Sequence, residues 1–207
     1  MLFTKKINRI VDEKIANLLF ANNNKLYNYI YKNDRQFYKV SKEQFLKDMI
    51  DKYKNNYMST TEFDRFVDMI YNSIKLPKRA TDGSAGYDFR SPYNFSLSPN
   101  EEIIIPTGIK ASMNKRDFLE VVPRSSLGFK YKARLLNTLG IVDSDYYNNP
   151  KNEGHMFVAL RNEGNKSMYI EKGEAFCQGI FIEYGTTRDD DVNDIRQGGI
   201  GSTNGKK

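Results

Sequence analysis

After Pro77 the chain changes texture, and that change limits its fold more than any single residue does. Short apolar and β-branched runs take over: Ile103-Ile104-Ile105, Leu119-Glu120-Val121-Val122, Met156-Phe157-Val158-Ala159-Leu160 and Ile180-Phe181-Ile182. Pro-Asn, Thr-Gly, Glu-Gly and Lys-Gly pairs cut them every 8–15 residues. Strands this short, interrupted this often by turn formers, suit the antiparallel sheets of a barrel or jelly roll. Strands do not alternate with helical segments here, which argues against a doubly wound nucleotide fold.

Before Pro77 the period is helical. Ile7, Ile10, Val11, Ile15, Leu18 and Leu19 recur every three or four residues until Asn22-Asn23-Asn24. Ser41 with Gln44, and Ser59 with Glu62, have capping-box spacing ahead of Phe45, Leu46, Met49 and of Phe63, Phe66, Val67. Between them Leu26–Tyr31 alternates, which fits a strand or a tyrosine-rich helix. The expected organisation is a helical extension over 1–73 and a β domain over 74–207. Within the latter, the Gly- and Asn-rich residues 192–207 form a mobile arm. The helices could make a satellite domain or drape over the β region. If every chemical group lies in the β domain, residues 74–207 alone are expected to be soluble and active.

Net charge is +6 over 207 residues and sits mainly at the front: residues 1–75 hold 14 Lys/Arg against 9 Asp/Glu. A solvated helical surface explains the excess. A nucleic-acid or protein partner for this region has no support beyond the charge. With 39% hydrophobic and 13% aromatic residues the chain can pack a core, and no run approaches the roughly 20 apolar residues of a membrane helix. The first residues, MLFTKKINRIVDEK, mix charges into the apolar spacing and read as no signal peptide. Cys177 is a single cysteine, so a reducing, cytoplasmic setting and a buried, inert thiol are expected.

Five segments of the β region, in order, resemble the trimeric dUTP diphosphatase (dUTPase) family. They are Ala85-Gly86-Tyr87-Asp88, Pro123-Arg124-Ser125-Ser126-Leu127-Gly128, Gly140-Ile141-Val142-Asp143-Ser144-Asp145-Tyr146, Gly173-Glu174-Ala175-Phe176-Cys177-Gln178 and Gly198-Gly199-Ile200-Gly201-Ser202-Thr203. The resemblance implies a mainly β, jelly-roll homotrimer, here with an extra α-helical N-terminal region, whose active sites are shared between subunits. It implies Mg²⁺-dependent hydrolysis of dUTP to dUMP and pyrophosphate. A regulatory protein on the same fold is the alternative. A dCTP deaminase is less favoured, because that family needs a glutamate in the strand after the Asp motif and Met156–Leu160 holds none.

The roles that the resemblance carries over are specific. Asp143 would be the base that holds a water in line with the α-phosphorus, against the plainer reading of a turn aspartate satisfying its own backbone. Main-chain groups of Asn137, Gly140, Ile141 and Val142 would read uracil, and Tyr146 would pack on the sugar where a 2′-hydroxyl would clash. Asp88 would hold Mg²⁺ through water, as suits an ion that dehydrates reluctantly. Arg124, Ser125, Ser126 and Gln178 would meet the phosphates, with Arg124 and Gln178 also catalytic. Arg196, Gly199, Ile200, Gly201, Ser202 and Thr203 would form an arm that closes on the triphosphate. Two departures stand out: Ile200 replaces a base-stacking phenylalanine, and Arg196 lies four residues before it. Phe89, Phe129 and Tyr131 are candidates to cover the base instead. Tyr147–His155 is also longer than a tight return, and His155 reads as a loop or strand-edge residue.

Overall fold

The computed structural model describes residues 35–53, 59–194, 196 and 198, so the expected helix over residues 4–19 and the alternating stretch 26–31 lie outside the described residues. The described residues, all from Arg35 onward, make one compact unit. Its first element is β1 (Gln36–Lys39), followed by helices α1 (Lys42–Tyr53) and α2 (Thr60–Ser73).

Ser59 caps α2 with a complete capping box, its hydroxyl accepting from the Glu62 amide while the Glu62 carboxylate accepts from the Ser59 N–H. Phe63, Val67 and Ile70 then fall on one buried face. The expected box at Ser41 is only half made. The Gln44 amide donates to Ser41 Oγ at 3.1 Å, but the Gln44 side chain turns to Asp48. The Ser41 N–H instead donates to Glu153 Oε2, 112 residues away, at 2.9 Å. A distant carboxylate has taken the place of the local one.

The β strands are β2 (Lys78–Arg79), β3 (Tyr87–Arg90), β4 (Phe95–Leu97), β5 (Glu102–Pro106), β6 (Ile109–Ser112), β7 (Asp117–Pro123), β8 (Ala133–Leu135), β9 (Gly140–Asp143), β10 (Phe157–Asn162), β11 (Met168–Ile170) and β12 (Ala175–Glu183). A seven-residue helix, α3 (Ser125–Tyr131), follows β7, and a 3₁₀ turn over Ser144–Tyr146 follows β9. The largest sheet has the order β2-β3-β12-β7-β9, and smaller ones pair β5-β10-β8, β11-β4 and β1-β6. Every pairing is antiparallel, giving the mainly β, jelly-roll architecture that the turn spacing predicts. In β7 and β10 buried and half-buried residues alternate, so one face of each builds the core and the other stays accessible.

The helical layer shares that core. Phe37, Val40, Phe45, Met49, Phe63, Val67 and Ile70 belong to the same buried cluster as Phe89, Leu119 and Val158. Phe37 packs its ring against Tyr87, Phe89 and Phe181, with centroids 5.4, 5.5 and 5.2 Å away. Pro77 therefore marks where helices give way to strands, while the packed unit starts at Arg35. There a bidentate pair, Arg35 Nε and Nη2 to the Asp117 carboxylate at 2.8 and 2.7 Å, ties the first strand to the start of β7.

Candidate active site

β9 is the edge of the five-stranded sheet: Gly140 pairs with Val121 and Asp143 with Phe118, and no strand lies on its other side among the described residues. An edge strand leaves alternate N–H and C=O groups available to a ligand, the same chemistry that lets peptides add to sheets. Beside this edge lies a cavity of about 280 Å³. Asn137, Gly140, Ile141, Val142, Asp143, Tyr146 and Arg196 all line it. These seven sequence-predicted residues are brought together.

The Asp143 side chain makes no capping bond to the turn that it precedes, so the carboxylate is not consumed by its own backbone. Instead Arg196 bridges two acids: Nη2 lies 2.5 Å from Asp143 Oδ2 and Nε 2.7 Å from Asp145 Oδ1. The guanidinium carbon sits 5.9 Å from the Tyr146 ring centroid. Tyr146 itself is buried, its hydroxyl donating to the His155 carbonyl at 2.9 Å and accepting from Asn152 Nδ2 at 2.9 Å. Burial pushes its phenol above the ordinary tyrosine value, with the Asn152 bond working the other way. The tyrosine is thus a fixed, neutral wall.

Sequence reasoning missed the apolar lining: Val121, Leu135, Met156, Phe157, Val158 and Ala159 complete the cavity. Alternation marks such residues as inward-facing but does not say which of them meet a void. Of the three aromatics considered for covering the base, Phe89 lines the cavity at 2% exposure. Phe129 is 93% exposed on α3 and lines no part of it, nor does Tyr131.

Asp88, Arg124, Ser125, Ser126 and Gln178 do not line this cavity. They make a second cluster. Gln178 of β12 lies opposite Asp88 of β3 on one side and Val122 of β7 on the other, whereas Cys177 lies opposite Phe89. Strand alternation therefore places Asp88 and Gln178 on the sheet face opposite Phe89. Arg124 Nε stands 3.4 Å from Asp88 Oδ1. Arg124 also begins α3 in extended conformation, leaving exposed Ser125 and Ser126 in its first turn, where helix N–H groups lack intrahelical acceptors. Gly86 packs closely on Gln178: a Cβ there would sit 2.2 Å from Gln178 Oε1, so that side chain would have to shift. Cys177 is fully buried, and desolvation raises its thiol well above the ordinary value, so it is an inert core group.

Gly199, Ile200, Gly201, Ser202 and Thr203 lie outside the described residues. No group of three or more His, Cys, Asp or Glu side chains able to hold a metal occurs among the described residues. Asp88, a 9%-exposed carboxylate beside the Arg124 guanidinium, fits an ion that takes most of its ligands from water and substrate phosphates, as Mg²⁺ does. No described helix is long and apolar enough to cross a membrane.

Comparison with known proteins gives one family. The family model for dUTPase matches residues 72–204. The chain is 45% identical over 133 residues to the deoxyuridine 5′-triphosphate nucleotidohydrolase of Lactococcus lactis, covering 63% of this chain and 88% of that protein. It is 34% identical over 140 residues to the protein of the same name from Haemophilus influenzae, covering 64% and 89%. Among solved structures it resembles the dUTPase from Streptococcus mutans, with a TM-score of 0.50 and 37% identity over 56% of this chain and 90% of that one.

Proposed function

This chain belongs to the dUTPase family, and from that premise we propose that it hydrolyses dUTP to dUMP and pyrophosphate, with the nucleoside held in the β9 cavity. The observation that carries this reading is the convergence of Asn137, Gly140–Asp143, Tyr146 and Arg196 on one cavity beside an unpaired strand edge.

On this reading the free edge of β9 pairs with uracil through main-chain groups, and discrimination against the 5-methyl group of thymine falls to the same segment, Gly140–Val142. Tyr146 backs the deoxyribose. Asp143 accepts the proton of a water aimed at the α-phosphorus, a contribution of about 10²–10⁴ in rate. Arg196 is a cation that can pass from the two carboxylates to phosphate oxygens when the triphosphate arrives. The tail 199–203 closes over the chain of phosphates, its N–H groups serving as an anion nest.

The Asp88–Arg124–Gln178 cluster is the phosphate half. It lies apart from the cavity of its own protomer, so we take each complete site to combine the nucleoside half of one subunit with the phosphate half of another in a homotrimer. Arg124 and the first-turn amides at Ser125 and Ser126 bind and orient phosphate oxygens, and Gln178 positions the water. Asp88 would hold Mg²⁺ through its waters, and the ion would neutralise charge on the phosphates of the leaving group. The described residues between Arg35 and Ser73 count as part of this catalytic domain, because Phe37, Phe45, Val67 and their neighbours complete its core.

The test is pyrophosphate release from dUTP with and without Mg²⁺, with dTTP and UTP as controls. Rapid release from dUTP and little from the controls supports the reading; no release from dUTP, or equal release from all three, overturns it.

A further inference from the structure

Tyr146 owes its position to groups far from the cavity. The nine residues Tyr147–His155 behind it form a polar knot. Asn149 Nδ2 donates to the Tyr146 carbonyl at 2.8 Å and to Asn152 Oδ1 at 2.8 Å, and Asn149 Oδ1 accepts from the amides of Lys151 and Asn152. Asn152 Nδ2 and the His155 carbonyl clamp the Tyr146 hydroxyl from two sides. Gly154, at φ +83°, lies where a Cβ would come within 2.7 Å of the Tyr146 carbonyl oxygen, so the knot closes only on glycine.

This knot is anchored to the helical layer rather than to the sheet alone. His155 is fully buried, and its Nε2 accepts the Gly108 N–H at 2.8 Å. The ring's proton is therefore on Nδ1, where it is donated to Asp48 Oδ2 of α1 at 2.6 Å. Asp48 is held in turn by Gln44 Nε2 at 3.0 Å. A second tie runs from Glu153 to the Ser41 amide and hydroxyl at 2.9 and 2.5 Å, with Lys110 bridging Glu153 and Asn148 at 3.1 and 2.7 Å. An unbroken path thus leads from α1, through the His155 ring and main chain, to the phenol that walls the cavity.

We propose that Asp48 and His155 are positioning residues for Tyr146, and that this contact from α1 sets discrimination between deoxyribose and ribose at the cavity. The inference rests on the proposed nucleotide reading of that cavity. A ring displaced by a fraction of an ångström admits a 2′-hydroxyl, so the device acts on substrate choice and binding more than on the chemical step. The extra length of Tyr147–His155 has a purpose on this account: it carries the fixing groups from the helix to the ring.

The experiment uses the full chain and compares dUTP with UTP. Asp48→Ala removes the acceptor for His155 Nδ1–H; loss of one such bond is expected to raise KM for dUTP about tenfold, keep kcat within about threefold and cut the dUTP/UTP ratio of kcat/KM about tenfold. Asp48→Asn keeps an acceptor oxygen and is expected to restore the ratio to within about threefold of the parent. Tyr146→Phe keeps the ring and removes the clamped hydroxyl, so it should lower the ratio similarly, and adding Asp48→Ala to it should change little more. A lower melting temperature with an unchanged ratio in Asp48→Ala overturns the proposal, as does an Asn variant as impaired as the Ala variant. If Asp48→Ala fails to fold, an unchanged ratio in Tyr146→Phe overturns it equally. A parent protein that does not hydrolyse dUTP overturns the underlying reading with it; a discriminating parent with insensitive variants overturns this inference alone.

Discussion

Deleting residues 1–73 is predicted to unfold the β domain, whereas deleting residues 1–34 is predicted to leave it standing. The longer deletion removes Phe37 and Phe45, which are 5% and 0% exposed. Burial of side chains this large contributes about 1.5–3 kcal/mol each, so about 3–6 kcal/mol is lost with the two. It also strips partners from two polar groups: the buried His155 loses Asp48, and the half-buried Glu153 loses Ser41. Each such loss costs about 1–1.5 kcal/mol. The total of about 5–9 kcal/mol is comparable to the whole stability of a typical domain, about 5–15 kcal/mol. Soluble yield and circular-dichroism melting of chains 1–207, 35–207 and 74–207 provide the assay. The 35–207 chain should be soluble and melt cooperatively, and 74–207 should be insoluble or melt without cooperativity. A soluble 74–207 chain melting within about 5 °C of 35–207 would refute the reasoning, since about 2 kcal/mol or less would then separate them.

Three further outcomes are expected. Asp143→Asn should bind a non-hydrolysable dUTP analogue within about threefold of the parent while single-turnover rates fall by about 10²–10⁴; lost affinity at an unchanged rate would make the residue an anchor. Asp88→Asn should raise the Mg²⁺ concentration for half-maximal turnover by about tenfold or more, read from a metal titration, because it removes the one carboxylate of the phosphate half. Asp117→Asn tests acid stability. The Arg35 guanidinium, chiefly by hydrogen bonding, holds the Asp117 carboxyl below the usual carboxylate range. A depressed folded value means that the pair's contribution is complete above the unfolded value near pH 4 and is lost as pH falls through the folded one. The melting-temperature gap between parent and variant should therefore be full at pH 7 and shrink below about pH 4; a gap constant down to pH 2 would contradict the linkage.

What the sequence disclosed, and what it hid, follows the range of the interactions. Ser59 and Glu62 are three residues apart, so their box was legible and forms completely. Ser41 and Gln44 have the same spacing, yet the structure supplies Glu153 for one half, a choice that no local pattern encodes. The cavity-lining residues Asn137, Gly140–Asp143 and Tyr146 were legible because a single turn and edge strand gather them from one short segment. The lining of Met156–Ala159 was not, since an inward-facing strand residue looks alike over a void and over a packed neighbour. His155 read as a loop or strand-edge residue and does stand in the loop two residues before β10, but its full burial between α1 and the β6 entry carried no local signal. The texture change at Pro77 reported the switch from helix to strand, and composition carries no signal for which side of that switch a core residue serves. Strand β1 (Gln36–Lys39) went unread because four residues with one buried side chain make no period.

The division of the site into a nucleoside half and a phosphate half is best tested by mixing two dead proteins. Asp143→Asn spoils only the first half and Arg124→Ala only the second. If each site joins the halves of neighbouring subunits, denaturing and refolding the two together at equal amounts gives about one site in four with both halves intact, by the statistics of a closed heterologous ring. The account predicts that dUTP hydrolysis returns to about a quarter of the parent rate in the mixture, with each variant alone inactive. A mixture that stays as inactive as its components, although gel filtration shows mixed trimers, would contradict it.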